Sequence, residues 1–360
     1  MKKIISILLV LTLALGLLAG CASNNNTQAD DQPGQNTENN QNSNTGDNDT
    51  QQDGKPEDTT FTLEYPADMQ ELGYTEPLVL DKKPERVVCL SAAPVLALYE
   101  LGVNMVGIPN SMVVTWPEDL AGSTERVSFS VMSPDDFDYE AVVALEPDLV
   151  LLAVNGADTA GATLEGLGIN VYYLYAGHVV SYDSVKMQTE ALIKAFGTDA
   201  ESAAVGEDIM NRFAELEANI DAAKTAFSGN KVMVLQSGDA ETHYIQTKNG
   251  TLGSMLDMLG FDNVYENAMT PMAQLDYEQA LDYQPDYLVC VGATDAATHQ
   301  AVMDEAFANN PEYWNAIPAV ANGNVICLDV TYISTAGINV IDNINALIDI
   351  MSENTGIAVK

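Results

Sequence analysis

Bases are what this chain has least of. Its 360 residues include 14 Lys or Arg against 52 Asp or Glu, a formal net charge of −38. From residue 61 onward, 44 acids face 11 bases. That balance excludes generic nucleic-acid binding, which needs a basic surface to displace counterions from phosphates. It also disfavours adhesion to anionic lipid. A strongly anionic ligand would have only Arg86, Arg126, Arg212 and scattered lysines to draw on. Histidine is scarce too, with three in all: His178, His243 and His299. A zinc or manganese site wants three or four His and carboxylate ligands converging on one ion, and three scattered histidines do not supply them. Cysteine stops at four. Cys89, Cys290 and Cys327 each sit in an apolar, strand-like run, read as buried free thiols acting as small hydrophobes. No cysteine spacing suggests zinc. The Gly-x-Ser-x-Gly elbow is missing as well: Ser91 follows a strand and precedes a helix, but its context is Leu90-Ser91-Ala92-Ala93-Pro94. The expectation is a protein that is not an enzyme, with an exported hydrolase as the rival of another class.

The front end is informative. Lys2 and Lys3 precede an apolar run from Ile4 to Leu18, which closes on Leu18-Ala19-Gly20-Cys21. A basic start, a short apolar stretch and small residues make a secretory signal, and the run is too short for a comfortable membrane span. Small residues directly before Cys21 resemble the lipobox of bacterial lipoproteins, which implies lipidation of Cys21 and an anchor on the outer face of the cytoplasmic membrane. Residues 21–60 are Asn, Gln, Asp, Thr and Gly with almost nothing apolar. Such a segment cannot bury enough surface to offset its ordering entropy, and it reads as an acidic, disordered tether.

Two stretches of the body repeat one another. Asp138-Tyr139-Glu140 leads to Pro147-Asp148 and an apolar run from Leu149. Asp276-Tyr277-Glu278 leads to Pro285-Asp286 and an apolar run from Tyr287. Each copy reads as a short helix that stops before proline, a turn, then a buried strand. A fixed internal repeat implies two similarly built units. Strands alternating with helices predict an α/β fold of two Rossmann-like lobes with mostly parallel sheets and a ligand cleft between them. The expected boundaries are 61–180 for the first lobe, 181–228 for connecting helices and 229–360 for the second lobe. Between the lobes, Val205, Ile209, Phe213, Leu216, Ile220, Ala223 and Phe227 form one apolar stripe. It predicts a helix over 199–227, capped by Thr198 and Glu201 and long enough to lie along both lobes.

Together these features resemble the substrate-binding lipoproteins of ABC importers for iron chelates, heme and cobalamin. The carrying segments are Pro84-Glu85-Arg86-Val87-Val88, Tyr99-Glu100-Leu101-Gly102, the first repeat copy, Met258 to Val264, and Trp314 to Val320 with Asn324-Val325. The resemblance implies two lobes joined by one long helix that limits their motion. It implies as partners an ABC permease and its ATPase, a small-molecule chelate or tetrapyrrole, and no nucleic acid, with the receptor a monomer. In that family a glutamate from each lobe docks onto arginines of the permease. Residue for residue these fall on Glu140 and Glu278.

The solute expected is an iron-containing complex, heme or a ferric siderophore, with cobalamin as the alternative and no intrinsic cofactor. One subgroup, the heme-receptor lipoproteins of Gram-positive surfaces, shares Val106 to Ser111 and Met132-Ser133-Pro134-Asp135. That likeness places Met132 as a ligand of heme iron, a role a thioether can fill. The opposing histidine of the subgroup falls by spacing on Ala293, six residues before His299, so the second axial ligand is unassigned. His178, His243, Trp116, Tyr175, Tyr244 and Tyr332 lie near predicted strand ends. They are the remaining candidates to face a flat ligand, together with His299.

Overall fold

In the computed structural model, the described residues are 60–111, 114–127, 129, 137–175, 181–266, 269–333 and 337–360. They belong to one unit, Glu57–Lys360. Strand β1 (Phe61–Leu63), helix α1 (Ala67–Glu71) and β2 (Leu78–Leu80) come first, the two strands pairing antiparallel. Then β3 (Val87–Cys89), α2 (Val95–Glu100), β4 (Met105–Ile108), α3 (Glu118–Ser123), β5 (Glu125–Arg126), α4 (Tyr139–Ala144), β6 (Leu149–Ala153), α5 (Ala162–Gly166) and β7 (Val171–Leu174) build a parallel sheet in the order β5-β4-β3-β6-β7. Its central strands carry unbroken apolar runs because helices cover both faces. The chain winds outward from β3 to β5 and then restarts on the other side at β6. That reversal opens a crevice at the carboxyl ends of β3 and β6.

Helices α6 (Tyr182–Phe196) and α7 (Ala200–Phe227) follow. The second sheet is built from β8 (Lys231–Ser237), β9 (His243–Gln246), α8 (Thr251–Met258), β10 (Asp262–Asn263), β11 (Met272–Gln274), α9 (Tyr277–Ala280), β12 (Tyr287–Val291), α10 (Ala296–Asn309), α11 (Pro311–Trp314), α12 (Pro318–Ala321) and β13 (Val325–Leu328), and α13 (Val340–Thr355) closes the fold. Its order is β11-β9-β8-β12-β13, with β10 beside β8. Strands β8, β10, β12 and β13 are parallel, while β9 runs antiparallel to β8 and to β11. This sheet is therefore mixed, because a six-residue-offset hairpin after β8 folds straight back rather than crossing over.

The repeat has a structural meaning finer than its sequence. Asp138 caps α4 by accepting from the Ala141 amide at 2.9 Å, and Asp276 caps α9 by accepting from Glu278 and Gln279 at 3.0 Å each. Glu146 and Gln284, each just before the proline, have φ of +46° and +47°, and they are the only non-glycine residues with positive φ among those described. Proline disfavours the right-handed helical region for its predecessor, and here that residue is in the left-handed one. Asp148 accepts from the amides of Glu85 (2.7 Å) and Arg86 (2.9 Å), and Asp286 accepts from that of Lys231 (2.8 Å). Asn170 and Asn324 each donate to the carbonyl of the matching aspartate at 3.0 Å. The Pro-Asp pair is thus a latch that sets the amino end of one central strand against its neighbour in each sheet.

Helix α7 buries the expected stripe, with Val205 half-buried and the other six fully buried. Its cap differs from the expected Thr198 and Glu201. The Asp199 carboxylate accepts from the amides of Glu201 and Ser202, and the Ser202 hydroxyl answers the Asp199 amide. A carboxylate satisfies these donors and also meets the positive end of the helix dipole. Those hydrogen bonds from Ser202 hold the Asp199 carboxyl down to about 2. At 28 residues α7 spans about 40 Å. Arg212 of α7 donates to Glu100 of α2 at 2.5 Å, and Asn219 of α7 donates to Asn345 of α13 at 2.9 Å. One apolar core runs through Ala97 of α2, the α7 stripe, Val232 and Val289 of the second sheet, and Ile344 of α13. The helix is a shared wall for elements of both sheets.

Candidate functional site

The loop after β3 of the first sheet meets a turn that follows β13 of the second. Gly337, in the turn Gly337–Asn339 after β13, has φ +70°, and a Cβ built there would lie 2.0 Å from the carbonyl oxygen of Ala93, in the loop after β3. Only glycine permits that approach. Ligands in open α/β sheets bind outside the carboxyl strand ends, so the loops after β3, β4, β6, β8, β12 and β13 are the rim to inspect. A separate groove of about 900 Å³, lined by Lys231, Lys248, Asp262, Tyr265, Asp282 and Tyr283, sits at the amino ends of β8 and β10. It is on the wrong end of the sheet to be this site.

Bases on the rim are few. The Arg86 guanidinium is spent at the amino end of β3, donating to the carbonyls of Leu145 and Glu146. Arg212 is paired with Glu100 and Asp208. Arg126 is exposed at the carboxyl end of β5, an outer strand. Lys186 and Lys194 pair with Glu217 and Glu64, each at 2.5 Å. The rim acids Asp239, Asp295 and Asp329 are taken up by turn and helix amides. Among the described residues no group of three His, Cys, Asp or Glu converges as a metal site.

Two histidines are packed inside the second lobe at its carboxyl strand ends. His243 and His299 are 2% and 1% exposed. The Nδ1 of His243 lies 2.6 Å from the Ser237 hydroxyl, across the β8–β9 pair. Its ring stands edge-on to Trp314 at 5.4 Å and to Tyr277 at 6.4 Å. His299, on α10, fills the space that a side chain on Gly292 would need: a Cβ built there would be 2.2 Å from its Nδ1. The Nε2 atoms of both rings have no protein partner among the described residues. Burial pushes both imidazoles below their usual range, and His243 lowers His299 further. Both rings are therefore neutral at pH 7.

Comparison with known proteins settles the family. The periplasmic binding protein model (Peripla_BP_2) matches residues 87–332. The chain belongs to the periplasmic binding protein family. It is 27% identical over 262 residues to a cobalamin-binding protein of Halobacterium salinarum, covering 71% of this chain and 66% of that one. The chain thus spans a little under two thirds of that relative. It is 24% identical over 336 residues to the Fe(3+)-citrate-binding protein YfmC of Bacillus subtilis, covering 91% and 90%. Its fold is similar to the crystal structure of the iron uptake ABC transporter substrate-binding protein PiuA of Streptococcus pneumoniae, with a TM-score of 0.59, 20% identity and coverage of 82% and 98%.

In this binding protein Glu140 and Glu278 are both exposed, each the second residue of its helix, and neither carboxylate has a partner among the described residues. Membership of a binding family accords with the loop at Ser91, whose hydroxyl accepts from the Ala93 amide at 3.4 Å and lies beside no described histidine. Trp116 is buried, its indole N–H given to the Pro109 carbonyl at 2.9 Å, so it supports the loop after β4 from below. Tyr332 is 4% exposed, and its hydroxyl donates to the Asn343 carbonyl at 3.3 Å. Tyr175 is half-buried at the end of β7, and Tyr244 is 40% exposed on the face of β9 opposite His243. Ala293 is exposed just beyond β12. Met132, His178 and Cys21 lie outside the described residues. Among the described residues no helix is long and apolar enough to cross a membrane. Sequence reasoning missed Ser237, Gly292 and the Gly337–Ala93 contact. The alternation Ser237–Leu235 against His243–Ile245 carried a signal for the first, and nothing local carried one for the others.

Proposed function

We propose that this binding protein is an extracytoplasmic receptor, anchored through a lipid on Cys21, that carries a bulky metal chelate to an ABC permease and its ATPase. The observation that carries the proposal is the matched placement of Glu140 and Glu278. Both follow an aspartate cap, both precede the proline of a Pro-Asp latch by seven residues, and both are exposed with free carboxylates. Two carboxylates on two rigid frames suit recognition of two guanidinium groups, with their separation fixing register.

For the solute, the reading is a chelate that brings its metal already coordinated and carries little net negative charge, with cobalamin first. Support comes from Arg86 and Arg212 being engaged elsewhere, from exposed Ala293 offering no ligand atom, and from His299 being buried behind Gly292. The name of the Halobacterium relative points the same way. Heme is the second reading, favoured by the Met132-Ser133-Pro134-Asp135 motif, and a ferric siderophore or ferric citrate is the third. The test is titration of the purified protein with cobalamin, hemin and ferric citrate, read by absorbance and tryptophan quenching. Saturable one-to-one binding of cobalamin supports the first reading. A Soret shift lost in Met132→Ala transfers the proposal to heme. No response to any of the three overturns the solute class.

A further inference from the structure

The three body cysteines, read from the sequence as separate core thiols, are not all separate. Strands β12 and β13 run parallel, and their register sets Cys290 directly opposite Cys327. The same layer continues through Leu235 on β8 and Ile245 on β9. Cys290 belongs to the apolar cluster on that face, and Cys327 packs against it. Neighbouring strands are about 4.8 Å apart, inside the roughly 4.4–6.8 Å Cα separation that a disulfide spans. The access of the two thiols differs. Cys290 is fully buried, while Cys327 is half-buried on the outermost strand. Cys89, in contrast, is buried in the other sheet with its sulfur 3.7 Å from that of Met105.

We infer that Cys290 and Cys327 form a redox-active dithiol that a low-molecular-weight disulfide oxidises to one intrachain bond across β12 and β13. The chemistry has two exchanges. Cys327 gives up its proton, attacks a sulfur of the oxidant and displaces one of its halves as a thiol, leaving a mixed disulfide. Cys290 then gives up its proton, attacks the Cys327 sulfur and displaces the second half. Two S–H bonds become one S–S bond, and the oxidant takes up two electrons and two protons to become two thiols. Cys327 attacks first because it can be reached, and burial pushes the Cys290 thiol up, away from the reactive thiolate. The bond encloses residues 291–326, and with them α10, α11 and α12. Cys327 lies half-buried on the outermost strand, so a thiol reductant can reach the bond and open it by the same exchange run in reverse. The inference rests on strand register and is independent of the solute proposed above.

The experiment exposes the native full-length chain to oxidised glutathione, quenches with acid, denatures, alkylates and measures mass, with a reduced control. The expected result is loss of two alkylation sites relative to that control, and a peptide pair joined between Cys290 and Cys327. Cys89→Ser keeps the link, Cys327→Ser abolishes it, and Cys290→Ser traps Cys327 as a glutathione adduct. Dithiothreitol restores both sites. The inference is overturned if the native chain alkylates as fully as its control, or if the joined peptide contains Cys21 or Cys89. The peptide map of the unsubstituted protein decides the matter even if a serine variant fails to fold.

Discussion

The two repeat copies sit under different sheets. The first lies in a sheet whose strands are all parallel, and the second in a sheet with β9 reversed and two imidazoles packed at its top. Yet cap, exposed glutamate, left-handed pre-proline residue and aspartate latch recur in both. Shared parts mark what both lobes must present, and unshared parts mark what each lobe does alone. The glutamates belong to the first class and the histidines to the second.

The largest expected effect tests the shared class. Replacing Glu140 and Glu278 together with alanine is expected to abolish uptake of the solute while its affinity for the purified protein is unchanged. Losing one partner of a desolvated charge pair costs about 2–5 kcal/mol, about 30-fold or more in affinity for the permease. Each single variant should fall between wild type and the double, and by similar factors if the lobes dock alike. An equal loss of solute affinity would move both glutamates into the cleft and end the comparison.

Next comes a feature found in the second lobe alone. Gly292→Ala places a methyl group inside the His299 ring, which is already buried. Overpacking of this kind costs about 1–3 kcal/mol, measurable as a lower midpoint in chemical denaturation. Combined with His299→Ala, the cost should be less than the sum of the two single costs, since the methyl then occupies part of the space the ring leaves. Strictly additive costs would mean that the methyl and the ring do not compete for that space.

How much of this was legible in the sequence follows from what is local. The repeat, the α7 stripe and the long apolar runs are periodic signals, and α7 and the central strands lie where they predicted. The reversed β9 breaks the expectation of a mostly parallel second sheet, because its effect depends on which strand it joins. The cap of α7 moved from Thr198 to Asp199 because both residues are competent and only backbone geometry chooses. Helix α5 begins only at Ala162, since Val154–Gly156 and Ala157–Gly161 wind first as a 3-10 turn and a wider π turn, which no apolar period marks. The contact of Gly337 with Ala93 and the pairing of Cys290 with Cys327 are long-range, so no spacing in the chain encodes them. Trp116 and Tyr332 looked like stacking residues by their positions near strand ends, but their polar atoms are bound to carbonyls beneath the loops.

A smaller effect returns to what the copies share. Glu146 and Gln284 hold φ near +47° with a Cβ to accommodate. A left-handed residue with a side chain costs about 1–2 kcal/mol, from which the extra entropy of an unfolded glycine takes back about half or more. Glu146→Gly should therefore stabilise by up to about 1 kcal/mol, and Gln284→Gly by somewhat less, because it also removes the hydrogen bond from the Gln284 side chain to the Leu281 carbonyl. A loss of stability in Glu146→Gly would show that the left-handed angle carries no strain there.

The gentlest effect separates the lobes by pH. Burial holds His243 and His299 below the ordinary imidazole value of 6.5, chiefly by disfavouring the charged ring. Unfolded, each takes a proton near pH 6.5; folded, each resists until a lower pH. The unfolded chain thus binds more protons across that window, and stability must fall as pH drops through it. The contribution is complete above about pH 6.5 and lost progressively below. Ser237, Trp314 and Tyr277 face His243 without offering a charge, and Asp239 opposes the shift only in part. Denaturation midpoints measured from pH 8 to 5.5 should therefore decline below 6.5 in the native protein and decline less in His243→Gln with His299→Gln. If the slope survives that double substitution, the proton uptake lies elsewhere in the chain, and the second lobe loses its distinguishing response.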